Sequence, residues 1–80
     1  MATTPIRNNI RRLRFDANEM TQAALAERLG VTRQTVMAIE AAKYSPTLEL
    51  AFRIAHVFNV PLDAVFQYDH TAHADQERLP

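Results

Sequence analysis

Residues 20–40 read MTQAALAERLGVTRQTVMAIE, and the spacing of their apolar side chains around Gly30, the only glycine of the chain, decides the fold. Thr21 is a strong N-cap because its hydroxyl can accept from the free amides of the following turn, and Met20 before it is placed to staple onto Leu25. A helix is therefore predicted to start at Gln22. Leu25, Ala26 and Leu29 recur at helical spacing, and Gly30 follows where a helix end needs a left-handed backbone that a Cβ would penalise. Thr32 then caps a second helix, with Val31 and Val36 in the staple positions and Val36 and Ile39 as its apolar seam. Two short helices close against each other across a three-residue bend, with Ala26 small where they must cross.

The outer face of the second helix decides what this unit touches. At about 100° per residue, the side opposite Val36 and Ile39 carries Gln34, Ala38 and Ala41, with Met37 beside them and Arg33 on the flank of the first turn. A glutamine can bond adenine in a bidentate way and an arginine can do the same to guanine, while Ala38 and Met37 suit thymine methyls. Taken singly, Gln34 and Arg33 read equally well as solvated residues of a surface helix. The motif around them favours the major groove of DNA.

Thr21-Gln22, Leu25-Ala26, Leu29-Gly30-Val31, Val36, Ile39-Glu40, Lys43, Pro46 and the run from Leu50-Ala51 to Phe66 together resemble the phage-repressor (Cro/Xre-type) helix-turn-helix family, over residues 6 to about 66. The resemblance implies an all-α, compact five-helix, lambda-repressor-like domain with the motif at helices 2 and 3, binding operator DNA as a homodimer to regulate transcription. It implies that Arg33, Gln34 and Ala38 face base edges and that Gln22 and Lys43 meet the DNA backbone. Met37, on the same outer face, is counted with the base contacts, and Thr32 and Arg11 with the backbone contacts. Arg14 and Glu40 fall where many relatives carry a paired Arg and Glu, which implies a structural ion pair between helices 1 and 3 that leaves Arg14 able to reach a phosphate. One position departs from the pattern: Ala41-Ala42 stands where many relatives have Asn-Gly. Helix 3 is therefore expected to run past Glu40, with weaker backbone contacts there.

Eighty residues make one domain whose core is marginal without close helix packing or a partner subunit. Without cysteine, neither a disulfide nor a zinc finger supplies stability, and no metal or other cofactor is expected. No apolar run reaches membrane-spanning length and the N-terminus lacks a signal-peptide core, so no membrane partner and a cytoplasmic location are expected. The formal net charge is zero, but residues 1–66 hold eight Lys or Arg against six Asp or Glu, whereas residues 67–80 hold one against three. Arg7, Arg11, Arg12 and Arg14 cluster, either as a phosphate-facing patch with salt-sensitive binding or as a solvated helix face.

The other segments supply the frame. Ile6, Ile10, Leu13 and Ala17 form one stripe, predicting helix 1 from about Ile6 to Asn18. Pro46 and Thr47 mark the next start, and from Leu48 to Asn59 only Glu49, Arg53 and His56 interrupt an apolar circumference. Such a helix is either the centre of the core or partly covered by another chain. Pro61 opens a last short helix. Val60, Leu62, Val65 and Phe66 either form an isologous dimer contact, setting two recognition helices roughly 34 Å apart, or close the monomer core.

The domain is accordingly assigned to residues 1–66 and a polar C-terminal tail to 67–80. In that tail His70 and His73 lie near Asp69 and Asp75, a set that reads as solvated rather than as a metal site and that leaves room for a protein partner. No catalytic constellation stands out and there is no glycine-rich phosphate loop, so the chain is not expected to be an enzyme. Two functions fit: a sequence-specific regulator that represses by occupying a promoter, or an antitoxin or protein-interaction module on the same fold.

Overall fold

Pro5, the β-branched Ile6 and the pair Asn8-Asn9 hold the N-terminal segment extended, and the chain turns helical only at Ile10. The computed structural model describes residues 4–69 and has a strand β1 at Ile6–Asn8 followed by helix α1 at Ile10–Asp16. Asn8 Oδ1 accepts from the Ile10 amide at 3.1 Å, a local side-chain bond of the kind that competes with helix. The strand's partner is β2, Phe66–Tyr68, paired antiparallel in the register Ile6 with Tyr68, Arg7 with Gln67 and Asn8 with Phe66.

This ribbon corrects the sequence reading in three places. The fold is helical, with five helices among the described residues, but it is not all-α. Helix 1 does not begin at Ile6, whose side chain leaves the helical stripe for the ribbon. Gln67 and Tyr68, read as the start of the tail, are strand residues, and the Asp69 amide donates to the Pro5 carbonyl at 2.7 Å. Helix α1 also stops earlier than Asn18, because Asn18 and Glu19 adopt φ of 65° and 59°. Two successive left-handed residues cannot extend a right-handed helix. His70, His73 and Asp75 lie outside the described residues.

Helix α2 spans Gln22–Leu29 and α3 spans Arg33–Glu40, as their start signals require. Thr21 accepts from the Ala24 amide at 2.9 Å and Thr32 from the Thr35 amide at 3.2 Å. Between them Gly30 takes φ 74°, where an added Cβ would meet only a guanidinium nitrogen of Arg53 at 3.8 Å. Backbone conformation, not crowding, demands glycine there.

Helix α3 does not run past Glu40, contrary to expectation. Its end is closed by the Ala42 amide donating to Ile39 and the Lys43 amide to Ala38, each at 3.0 Å. This is the pairing of a Schellman motif, and it puts Ala42 at the left-handed position, φ 58°, which glycine usually fills. The missing glycine therefore changes the energy of the turn rather than its path. Ala42→Gly is expected to stabilise the domain by about 1 kcal/mol, the relief of a left-handed alanine less the added entropy of the unfolded chain. Thermal unfolding should show this as a midpoint raised by about 4–8 °C.

Thr47 accepts from the Leu50 amide at 3.1 Å and starts α4, Leu48–Phe58, which ends at a left-handed Asn59. Pro61 then leads into α5, Leu62–Val65. Ile10, Leu25, Leu29, Val36, Ile39, Ile54 and Val65 are fully buried and bring every helix into one core, with Ala26 and Ala55 filling its close approaches. Helix α4 is not the centre of that core on all sides: Ala51, Ile54 and Ala55 face inward, whereas Leu48 and Phe52 are 68% and 53% exposed.

Candidate nucleic-acid interface

Two residues fix the pose of α3 from the side of α1. Arg14 donates through Nε to Glu40 Oε2 at 2.6 Å and through Nη2 to Glu40 Oε1 at 3.1 Å, a two-pronged pair that ties α1 to the last residue of α3. Its third nitrogen, Nη1, donates to the Met20 carbonyl at 2.8 Å, just before the Thr21 cap. The side chains are 15% and 10% exposed, so the pair lies at the edge of the core. Glu40 Oε1 also accepts from Gln22 Nε2 at 3.2 Å, which turns the first side chain of α2 toward the C-terminus of α3. All three guanidinium nitrogens of Arg14 thus have acceptors within the protein, so the side chain positions the motif, and it also borders the concavity beside it.

Outward of this pair lies a concavity of about 660 Å³ lined by Arg11, Arg14, Thr21, Gln22, Ala23, Arg33 and Glu40. It sits at the N-terminus of α2, where the first-turn amides have no partner within the helix and the dipole favours an anion. Arg11 and Arg33, both exposed, bring cationic charge to it from α1 and α3. Gln22, Arg11 and Arg33 are therefore side by side although they stand on three different helices. Arg7 lies on β1 and Arg12 is engaged in an exposed ion pair with Asp16 at 3.3 Å, so these two do not join the concavity.

The remaining predicted residues occupy the free side of α3. Gln34 and Met37 are exposed and Ala38 is half-buried, opposite the buried Val36 and Ile39. Thr32 is exposed at the head of the helix, its hydroxyl also 3.0 Å from that of Thr35. Lys43 is exposed in the turn beyond the helix.

A family model described as helix-turn-helix matches residues 10–65. The chain belongs to the Cro/Xre-type helix-turn-helix family. Among its relatives, a protein of Archaeoglobus fulgidus described as an uncharacterized HTH-type transcriptional regulator is 44% identical over 64 residues, 80% of this chain and 89% of the relative. One of Methanocaldococcus jannaschii with the same description is 50% identical over 52 residues, 65% of this chain and 79% of the relative. The Bacillus subtilis protein YgzD, again so described, is 41% identical over 61 residues, 76% of this chain and 91% of the relative. The matched region of the family model starts at Ile10, so β1 lies outside it and β2 begins just beyond its end.

Two gripping contacts on the motif were not anticipated. Arg53 Nη2, from α4, donates to the Leu29 carbonyl at 2.5 Å and so satisfies the end of α2 beside Gly30. Asn8 Nδ2, from β1, donates to the Ile39 carbonyl at 2.8 Å and lies 3.5 Å from that of Glu40. In the sequence Arg53 reads only as part of a polar strip with Glu49 and His56. The Asn8-Asn9 pair was a legible helix-start signal immediately before Ile10, and it would have moved the first helix to its observed start.

Among the described residues, no group of three or more His, Asp or Glu could hold a metal ion, and no helix is long and apolar enough to cross a membrane.

Proposed function

We propose that the chain is a sequence-specific transcriptional regulator that lays α3 in the major groove of a palindromic operator as a homodimer and represses by occupying promoter DNA. One observation carries this reading: the free face of α3, with Gln34, Met37 and Ala38, adjoins a concavity that joins Arg11, Arg33 and Gln22 to the N-terminus of α2. The first set has the donors and methyl-sized surfaces that read base edges. The second has the charge and amides that hold a phosphate. Arg33 stands where the two sets meet, at the leading end of the helix, and is assigned to a base edge. Thr32, Lys43, Arg11 and Arg14 complete the proposed backbone contacts, Arg14 from the wall of the concavity.

Selection of bound oligonucleotides from a random duplex pool tests this directly. A palindromic consensus with half-sites one helical turn apart is expected. Failure to enrich any sequence at low salt would remove the reading. Lys43→Ala should weaken specific and random duplexes alike and reduce the slope of log affinity against log salt by about 1 per subunit, measurable by a fluorescence-anisotropy salt titration.

For the dimer contact the proposed surface is narrower than the sequence suggested. Val65 is completely buried in the monomer and is removed from the interface set. Leu62 and Phe66 remain half-buried and, with Ile6, Pro46 and Ala51, line an apolar groove of about 340 Å³, while Val60 packs at the core margin. A second copy covering this groove would bury the half-exposed apolar surface that a small domain leaves over. Leu62→Asp is expected to convert a dimer to a monomer in sedimentation equilibrium at micromolar concentration. An unchanged mass would place the contact elsewhere.

A further inference from the structure

We infer that Asn8 is a positioning residue for base reading: from the β1–β2 ribbon it grips the C-terminal carbonyls of α3 and sets how far that helix stands out from the frame. This rests on the proposed role of α3 as the helix that enters the groove.

The Asn8 side chain uses both of its ends. Its oxygen holds the first amide of α1 at 3.1 Å, and its nitrogen holds the Ile39 carbonyl at 2.8 Å, with Glu40 at 3.5 Å. Those carbonyls belong to the last turn of α3, where the helix itself supplies no donors, and the Ile39 carbonyl is shared with the Ala42 amide of the turn at 3.0 Å. Asn8 is itself fixed from outside the motif. It pairs with Phe66 across the ribbon, and the adjacent Asn9 amide donates to the Val65 carbonyl at 2.9 Å. Farther along the same segment, the Thr4 amide donates to the Ala42 carbonyl at 3.3 Å and the Thr4 hydroxyl lies 2.7 Å from that of Ser45. Residues 4–8 therefore run beside the turn that follows α3 and hold it at three successive places.

A helix of eight residues is not stable alone in water, so its attitude is that of the groups that grip it. Hydrogen bonds to base edges operate only within a few tenths of an ångström of about 2.9 Å. A slackened C-terminal grip would leave α3 folded against Val36 and Ile39 yet free to rock, and discrimination between bases would fall before affinity for the backbone does.

Asn8→Asp separates the two duties. It keeps an oxygen for the Ile10 amide, loses the donors to Ile39 and Glu40, and sets a carboxylate against their carbonyls. Asn8→Ser does the same without charge, because a hydroxyl can cap Ile10 but is too short to span to α3. In the free protein, hydrogen exchange at the Ala42 and Lys43 amides is expected to accelerate about tenfold in both variants, the loss of roughly one hydrogen bond, with the α1 amides unchanged. On DNA, the ratio of affinities for the selected and a scrambled duplex is expected to fall about tenfold while the scrambled affinity holds in the Ser variant. Unchanged exchange at Ala42 and Lys43 would overturn the inference, as would an unchanged ratio in a Ser variant that remains folded. If the wild-type protein itself fails to discriminate, the operator reading falls instead, and the exchange measurement alone decides whether Asn8 holds the helix.

Discussion

Replacing Glu40 by Ala is expected to destabilise the domain by about 3 kcal/mol, at the lower end of what breaking a mostly buried ion pair costs. The carboxylate accepts from Arg14 Nε and Nη2 and from Gln22 Nε2, and in its absence the 15% exposed guanidinium keeps only the Met20 carbonyl among these acceptors. The residual exposure is why the lower end of the range applies. For a domain whose total stability is about 5–10 kcal/mol, the melting temperature should drop by about 12–24 °C. Urea unfolding should give the same loss with an unchanged denaturant slope. Removing both charges together, as in Arg14→Met with Glu40→Leu, should recover much of it, since the penalty lies in the charge left behind rather than in the pair. A Glu40→Ala midpoint within a few degrees of wild type would mean that water solvates Arg14 well enough for the pair to behave as a surface contact.

The same network shows what could be read from the chain and what could not. The motif was legible residue by residue because its signals are local: Thr21, Thr32 and Thr47 each cap the helix that follows, and Gly30 takes the left-handed turn. The first helix was legible only in part: Asn8-Asn9 marks its start locally, but Ile6 before them fits a helical stripe and a strand equally well. What makes Ile6 a strand residue is pairing with Phe66–Tyr68, a contact that no local pattern encodes. Val65 illustrates the same difficulty for the interface. Its hydrophobicity marks it for burial, but only packing tells whether the partner is its own core or another subunit.

At Ala42 the local signal misleads in the opposite direction: the absence of glycine predicts a longer helix, whereas the turn keeps its form and bears the strain. The physical reason is that α3 is held at its C-terminus by Asn8, Arg14 through Glu40, and the hydrogen bonds of the turn itself. Extending the helix by one residue would forfeit several of these bonds to relieve about 1–2 kcal/mol of backbone strain. The frame overrides the local preference.

Gln34 carries the largest expected effect on recognition. It occupies the first turn of α3, is exposed, and its side chain has no hydrogen bond to the other described residues, so its amide is available to a ligand. Gln34→Ala is expected to remove about 1–3 kcal/mol of discrimination at one base pair in each half-site, or roughly 5- to 150-fold per contact, leaving the remaining positions of the consensus intact. In a palindromic site read by two subunits the loss occurs twice. Gln22 supplies the contrast. Its amide is turned toward Glu40 at the mouth of the arginine-lined concavity, a position suited to a phosphate, so Gln22→Ala should lower affinity for every sequence by the same factor and leave the consensus unaltered. Competition binding against a set of single-base operator variants distinguishes the two patterns. If Gln34→Ala weakened all variants equally and Gln22→Ala changed the preferred base, the assignment of α3 to the bases and of the α2 terminus to the backbone would have to be exchanged.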